Sequence, residues 1–386
     1  MSIIRKDLGP RTPARLKSKL SVVRPGRAVP DVRLELKTGG EFSLYSTPPE
    51  ELERAFDRLV FRSSETNVFQ AAPFLLTALK NGLHGLRLAL IHEGAQGMEQ
   101  DDLAALMAFR VEDGGRWITA HGFGDGTAAY NAPLISRHRP MATIDQLFEA
   151  LANNLTNLPG IAVLPDLLAD GAIMRLGRAV AAARGLAFRV TGATRRRALT
   201  ARVDPSSRLA GSERAAWQDK LEKWQALQQK GHVTYRVARN SDEIEPVLEA
   251  LPMLARDTAG PAPNAFLTAA CRALAKRDWI RLHALYLDEI LIAVAVQPVV
   301  AGEAWIADTI VHTDLADMAV DEQLIVRLTE WNLRDTNIRV TRCAPGVGPF
   351  LAERFWSDDE GRATLMVALK PGHERSLDAA AKALEV

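Results

Sequence analysis

The chain has 386 residues, 47% of them hydrophobic and 25% charged. That is the make-up of a folded globular protein of two or three domains, and it excludes disorder as the main state. Lys plus Arg number 48 and Asp plus Glu 47, for a net charge of +1, so bulk charge speaks against a strongly basic nucleic-acid binder.

Cys271 and Cys343 are too few for a disulfide framework, and no Cys/His group has zinc spacing, so no metal is expected. No apolar run approaches the length that spans a bilayer and no signal-peptide segment is found, which points to a cytoplasmic protein.

Residues 1–40 read as a basic N-terminal arm, with Pro10, Pro13, Pro25 and Pro30 breaking any long helix. The arm offers contact to an acidic partner or a membrane surface. EFSLYS (41–46) then reads as a strand and TPPEEL opens a helix with Thr47 as N-cap. VFQAAPFLLTALKNGL reads as a second helix. LRLALIHE, LAALMAFRV and RWITAHGF follow as strands, then a turn-rich loop through DGTAAYNAPLISRHRP. MATIDQLFEALANNL is a helix, IAVLPDLL a strand, AIMRLGRAVAAARG a helix and LAFRVTGA a strand.

A linker (204–211) leads into the charged helix SERAAWQDKLEKWQALQQKG, on which Trp217 and Trp224 share a face expected to hold the two halves together. The order then returns: strand HVTYRVAR, helices SDEIEPVLEALPML and AFLTAACRALAKRDW, strands IRLHALYL, EILIAVAVQPVV and AWIADTIV, helix VDEQLIVRLTEWNLRD, strand NIRVTRCA, helix VGPFLAERFW and strand ATLMVALK. A weak helix closes the 371–386 tail. The series strand, helix, helix, three strands, helix, strand, helix, strand thus occurs twice, over 41–203 and 232–370, with the 204–231 connection between. Hairpins mixed with strand–helix–strand crossovers predict an α+β protein with mixed sheets.

This order resembles the GNAT acyltransferase fold. The doubled form looks like the tandem CelD/BcsL-type branch, which is related to the Fem-type aminoacyltransferases. NVFQAAPFLLTAL (67–79), AAYNAPLI (128–135) and KLEKWQALQQKGHVTYRVARNSDEIEPVLEAL (220–251) carry the local similarity. The chain departs from that pattern at Ala129, where the branch has Asp, at ADMAV (316–320), and at TRCAPGVG (341–348), where Arg342 stands near the expected acid. The resemblance implies two tandem domains, each a mostly antiparallel sheet flanked by helices, and an acyl-CoA (acetyl-CoA or longer) as co-substrate. The acyl-CoA would lie between two parted central strands, its amides pairing with a strand edge and its pyrophosphate at a helix start.

In the second half the loop that would take the pyrophosphate has no glycine and carries Asp314, Asp317 and Asp321. In the first half the equivalent loop holds Gly122, Gly124, Gly126, Arg137, His138 and Arg139, so the cofactor-binding expectation falls on those glycines with Arg137 and Arg139, against the plain reading of a solvated connection. Gly346 and Gly348 sit in a turn that lacks P-loop spacing; with Phe69, Gln70, Asn131 and Arg342 they are the expected substrate-binding residues.

Acyl transfer asks for one base and a donor to the oxyanion. Asp308 and His312, four apart and on one face of a strand, are the acid/base pair of the second half; an ion pair of Asp308 with Arg342 is the structural alternative. His121, Asp125 and Tyr130 are the candidates of the first half, and His84, His92, His232 and His283 read as structural. Three functions remain open: an acyl-CoA-dependent N- or O-acyltransferase acting on a polysaccharide or cell-envelope precursor, Fem-like aminoacyl transfer, and a non-catalytic pair kept as a binding module. The first rests on two similar modules, each around its own opened sheet; a single continuous core counts against that premise.

Overall fold

The computed structural model describes residues 28–80, 85–93, 103–120, 130–201, 212–256, 265–344, 347, 356 and 358–384. Its strands are β1 (Val32–Glu35), β2 (Glu41–Tyr45), β3 (Arg87–His92), β4 (Leu103–Glu112), β5 (Trp117–Ala120), β6 (Leu134–Ile135), β7 (Ile161–Leu168), β8 (Phe188–Thr200), β9 (Val233–Ala238), β10 (Ile280–Leu287), β11 (Ile290–Val300), β12 (Glu303–Ile306), β13 (Asp308–Val311), β14 (Val340–Cys343) and β15 (Asp358–Ala368). The helices are α1 (Glu53–Arg62), α2 (Ala72–Lys80), α3 (Pro140–Ala152), α4 (Ala172–Ala183), α5 (Ser212–Lys230), α6 (Ser241–Arg256), α7 (Ala265–Ala275), α8 (Val320–Arg334) and α9 (Glu374–Leu384).

All the strands belong to one sheet, in the order β1-β2-β3-β4-β5-β7-β15-β8-β14-β12-β11-β10-β9, with β6 beside β4 and β13 beside β11. β5–β7 and β12–β14 pair in parallel, and the neighbours on either side of them are antiparallel. Outward from the centre the two arms have the same build, β7-β5-β4-β3-β2 on one side and β14-β12-β11-β10-β9 on the other. The last strands of the arms are exchanged. β15, the final strand of the chain, lies against β7, and β8 lies against β14. The two then pair with each other from Asp358↔Ala198 to Val367↔Phe188.

The expectation of one sheet per half therefore gives way to a single sheet. The core follows: buried side chains from Leu34 to Leu369 form one cluster drawn from both arms. The exchange leaves neither inner edge open to an outside strand. Helices lock the arms further. Arg277, in the turn after α7, donates to Asp57 at 2.6 Å and to Glu53 of α1, and Phe61 meets Trp279 edge-on at 5.5 Å. A second cluster, with Leu199, Ile292, Ile306, Leu324, Leu328 and Trp356, lies under α8.

Several local expectations change. Residues 32–35, inside the stretch read as an arm, form β1 on β2. Thr47 does not cap a helix: a single turn at Glu50–Leu52 comes first, and α1 then buries Ala55, Phe56, Leu59 and Val60 on one face. Trp224 lies under the Arg327 guanidinium of α8, 4.5 Å from the ring centre, so it docks α5 on the second arm. The linker 204–211 lies outside the described residues, as does most of the helix expected at 347–356. Among the described residues no helix is long and apolar enough to cross a membrane.

Candidate functional site

The centre of the sheet is where the regular ladder breaks. The β7–β15 register shifts between Ala363 and Leu365, and the β8–β15 register shifts between Arg362 and Thr364. On β7 the irregularity falls at Pro165-Asp166, with Asp166 in the left-handed region at φ 55; on β8 it falls at Gly192, φ 62. Bulges of this kind twist a strand and turn a side chain to a new direction. A left-handed aspartate costs of order 1 kcal/mol or more, so the surrounding contacts hold it there.

Those contacts are ionic. Asp166 bridges Arg196 at 3.1 Å, and its carbonyl accepts from Arg362 at 3.3 Å. Arg362 donates to Glu360 at 3.1 Å. Arg342 grips Glu360 with two bonds of 2.7 and 2.8 Å and donates to Glu303 at 2.6 Å. Arg362 is 2% exposed and Arg342 7%, so these pairs work with little screening by water. Burial pushes the Glu303 and Asp166 carboxyls up, against the neighbouring guanidiniums. Burial also acts on Glu360, but Arg342 and Arg362 outweigh it and hold that carboxyl below its ordinary value.

Aromatic rings floor the cluster. Trp305 of β12 stacks on Tyr130 with ring centroids 5.3 Å apart and planes at 18°, and Phe69 meets Trp305 edge-on at 5.6 Å. Arg362 caps both rings, 5.2 Å from the Tyr130 centre and 5.4 Å from that of Trp305. The Tyr130 hydroxyl donates to Glu65, whose other oxygen accepts from the Ile173 N–H at 2.8 Å in the first turn of α4. Burial and the Glu65 charge push the Tyr130 phenol well above its ordinary value, so it holds its proton. Asn67 fixes the segment by donating to the carbonyls of Tyr130 and Ala132 at 2.8 and 2.7 Å.

Directly beside this cluster a parallel pair of strands comes apart. β12 and β14 pair from Glu303↔Val340 to Ile306↔Cys343, so Trp305 and Arg342 share the rung before the last. Past Ile306 the chain bulges at Ala307, whose N–H turns to Val296 O at 2.8 Å, and continues as β13 on β11 alone. The His312 N–H donates to Ile292 O at 2.9 Å. By the alternation of an antiparallel pair, the backbone groups of Thr309 and Val311 then point away from β11. No described strand pairs with that outer edge.

The candidates named from the sequence are distributed as follows. Asp308 is the first residue of β13, its Oδ1 accepting from the Thr309 N–H at 2.8 Å; burial raises its carboxyl. The alternative ion pair with Arg342 is not formed, since Arg342 is taken by Glu303 and Glu360. His312 follows β13, and its Nδ1 accepts from the Asp314 N–H at 3.3 Å. Tyr130 and Arg342 lie in the central cluster, and Asn131 is buried next to Tyr130. Phe69 is a ring contact of Trp305, and Gln70, fully buried, accepts from the Ala108 N–H at 3.0 Å. Arg137 is spent on the end of α1, donating to the carbonyls of Phe61 and Arg62, while Arg139 is exposed ahead of α3. His121, Gly122, Gly124, Asp125, Gly126, Gly346 and Gly348 lie outside the described residues.

In the second arm the start of α8 offers no cradle for a diphosphate. A turn at Thr313–Met318 precedes it, Ala319 has φ 47, and Asp321 and Glu322 occupy its first turn. Among the described residues no group of His, Cys, Asp and Glu is set to hold a metal ion.

Glu65, Asp166, Arg196, Glu303, Trp305, Glu360 and Arg362 were not singled out from the sequence. Their signal was faint: a Pro-Asp pair inside an apolar strand, and acid–base alternation at Glu360 and Arg362. The pairing of β7, β15, β8, β14 and β12 brings all but Glu65 together, and Glu65 joins them through the Tyr130 hydroxyl.

Residues 218–343 match the family model of the acetyltransferase (GNAT) domain. No curated protein matches the chain. Among solved structures it is similar to the C-terminal domain of a putative lysylphosphatidylglycerol synthetase from Agrobacterium fabrum, with TM-score 0.54 and 14% identity over 87% of this chain and 96% of that one. It is similar to FemX, with TM-score 0.55 and 8% identity over 86% of this chain and 98% of that one. A conserved protein of unknown function from Bacteroides thetaiotaomicron also matches, with TM-score 0.53 and 12% identity over 82% and 97% of the two chains. The GNAT-domain match is thus confined to residues 218–343, and the chain shares with these structures a mixed α/β fold with a largely antiparallel sheet flanked by helices.

Proposed function

We propose that this protein is a GNAT-type acyltransferase that moves an acyl group from an acyl-CoA to an amine or hydroxyl of a polar cell-envelope precursor. The continuous sheet and core count against two separate modules, so this reading rests on the like build of the two arms: it takes 41–203 and 232–370 as two GNAT-like units fused through the exchange of their last strands. The observation that carries it is the parting of β12 from β14 after Ile306↔Cys343, which leaves one edge of β13, among the described residues, without a strand beside a buried ionic cluster. A pantetheine arm adds to such an edge as a further strand would, and its diphosphate must then lie away from the acidic start of α8.

The acceptor's lone pair attacks the thioester carbonyl, the tetrahedral oxyanion collapses with cleavage of the C–S bond, and the thiolate leaves and takes up the proton lost by the acceptor. Asp308 takes the acceptor's proton: it lies first past the parting, its carboxyl is raised by burial, and no Lys or Arg bridges it among the described residues. Tyr130 stays protonated and serves to hold Glu65 and Trp305 in place.

The purified protein, mixed with acetyl-CoA and longer acyl-CoAs and a panel of envelope-type acceptors, is read by mass spectrometry for the acylated product. Transfer that falls about a hundredfold or more in Asp308→Asn supports the reading. Absence of binding to every acyl-CoA would sink it.

One observation favours a second reading. The acidic, glycine-free start of α8 suits a donor with no pyrophosphate at that point, as in Fem-like transfer from an aminoacyl ester. Activity abolished by ribonuclease singles out that donor.

A further inference from the structure

A cavity of about 430 Å³ lies between the C-terminal helix α9 and the starts of β5 and β7. That is within the roughly 300–1,000 Å³ of small-molecule sites. The sequence explains why the space is there. α9 docks through Leu377, Ala380 and Ala381, which pack with Trp117, Ile161 and Met366. Ser376, Ala380 and Ala383 share one side of the helix and line the cavity, and side chains that short leave the gap to the strands unfilled. Gly160, just ahead of β7, makes room for the His373 ring: a Cβ there would lie 2.6 Å from the imidazole Nε2.

The cavity has an apolar floor and a polar rim. Trp117, Ile161 and Ala380 are 9%, 1% and 2% exposed. Arg116 follows a tight turn at Gly114 and Gly115, with φ 63 and 95, and is exposed. Its guanidinium offers a planar fork of N–H donors, His373 keeps at least one ring N–H in either charge state, and the Ser376 hydroxyl also donates. None of the residues lining the cavity is a carboxylate. Of the acids of α9, Asp378 pairs with Arg189 at 2.8 Å and Glu374 accepts from the Gly372 N–H at 3.4 Å. A cation would meet Arg116 and no counter-charge. A polyanion would bring several charges to one fixed positive charge. A carboxylate fits the guanidinium fork, and an apolar body attached to it reaches the tryptophan.

We propose that this cavity binds a small carboxylate with a flat apolar body, the carboxylate on Arg116 with His373 and Ser376 as further donors and the body on Trp117 and Ala380. From Ile161 to Asp166 β7 covers about 16 Å, so the site is separate from the central cluster, and β13 lies in the other arm. The proposal therefore does not rest on the transfer reading. A ligand held here touches α9 and the first arm together and fastens the C-terminal helix to the sheet.

The test is titration calorimetry of the full chain with phenylacetate, 2-phenylethanol and acetate, which separate the whole ligand from its body and from its charge. Phenylacetate is expected to bind about tenfold or more tightly than either of the others. Arg116→Gln is expected to bring phenylacetate down to the level of 2-phenylethanol. Ala383→Leu, which fills the gap from an exposed position, is expected to weaken phenylacetate by about tenfold or more. Hydrogen exchange in α9 slows with phenylacetate in the parent and in neither variant. No heat with phenylacetate, or phenylacetate no tighter than 2-phenylethanol or acetate, overturns the proposal. Binding that both variants leave intact, at an unchanged melting temperature, places the ligand elsewhere and overturns it as well. Should Ala383→Leu melt below the parent, Arg116→Gln, a change to an exposed side chain, decides alone.

Discussion

Trp305 and Tyr130 come from different arms of the sheet, yet their rings lie stacked 5.3 Å apart, and Arg362 sits at nearly equal distance from both. One edge of this triangle ties the second arm to the first, and the other two tie both to the exchanged strand β15. Trp305→Ala is expected to cost about 3–5 kcal/mol of stability in urea unfolding. Tyr130→Phe, which leaves the Glu65 carboxylate short of one donor, is expected to cost about 1–3 kcal/mol.

Glu360 links β14 and β15 through Arg342 and Arg362. Its folded-state pKa lies below the ordinary 4.5, lowered by Arg342 and Arg362 against the effect of burial. A carboxylate of that kind adds stability that is complete above pH 4.5 and disappears as pH falls through the lower, folded value. The unfolding free-energy difference between the protein and Glu360→Gln is expected to be constant at neutral pH and to shrink below that point. A difference that grows on acidification would contradict the ion-pair assignment.

His283 is fully buried, shares a 2.6 Å hydrogen bond with the Tyr235 hydroxyl, and has its pKa pushed down to about 3 by burial and by Arg281. Unfolding lets it bind a proton near its ordinary 6.5, so stability is full above that pH and falls between 6.5 and about 3. The slope is about 1.4 kcal/mol per pH unit from this one group. Between pH 7 and pH 5 the protein is expected to lose about 2 kcal/mol more than His283→Gln does, by urea titration at both pH values.

Gly171 precedes α4 where the Glu65 carboxylate docks. A Cβ there would collide with Glu65 Oε1 and come within 2.8 Å of the Leu168 Cβ. Gly171→Ala is expected to dislodge Glu65 from the Ile173 N–H and the Tyr130 hydroxyl at a cost of about 1–3 kcal/mol. Thermal melting checks the cost, and an unchanged melting temperature would show that Glu65 is dispensable.

Periodicity made most elements legible in the sequence. IRLHALYL, EILIAVAVQPVV and VDEQLIVRLTEWNLRD form β10, β11 and α8 where the pattern places them. Period tells which face of a strand is buried, but not which strand lies beside it, so the exchange of β8 and β15 was invisible. β8 also runs past Ala193, where the apolar pattern stops, because Arg195, Arg196 and Arg197 pair across to Gly361, Glu360 and Asp359. The site was half legible for the same reason. Tyr130, Arg342 and Asp308 stood out by residue type, but the partners of Arg342 come from β12 and β15, which no local spacing connects. The division of AWIADTIV at Ala307 likewise depends on a backbone turn toward Val296 that the side-chain pattern does not encode.

The acyl donor is held here to add along the outer edge of β13, and the amide of Val311 reports on that edge directly. Hydrogen exchange resolved at this amide, with and without acetyl-CoA, is expected to slow at least tenfold on binding as the N–H acquires an acceptor. Exchange at Val311 that stays fast with acetyl-CoA and with longer acyl-CoAs alike would contradict the account.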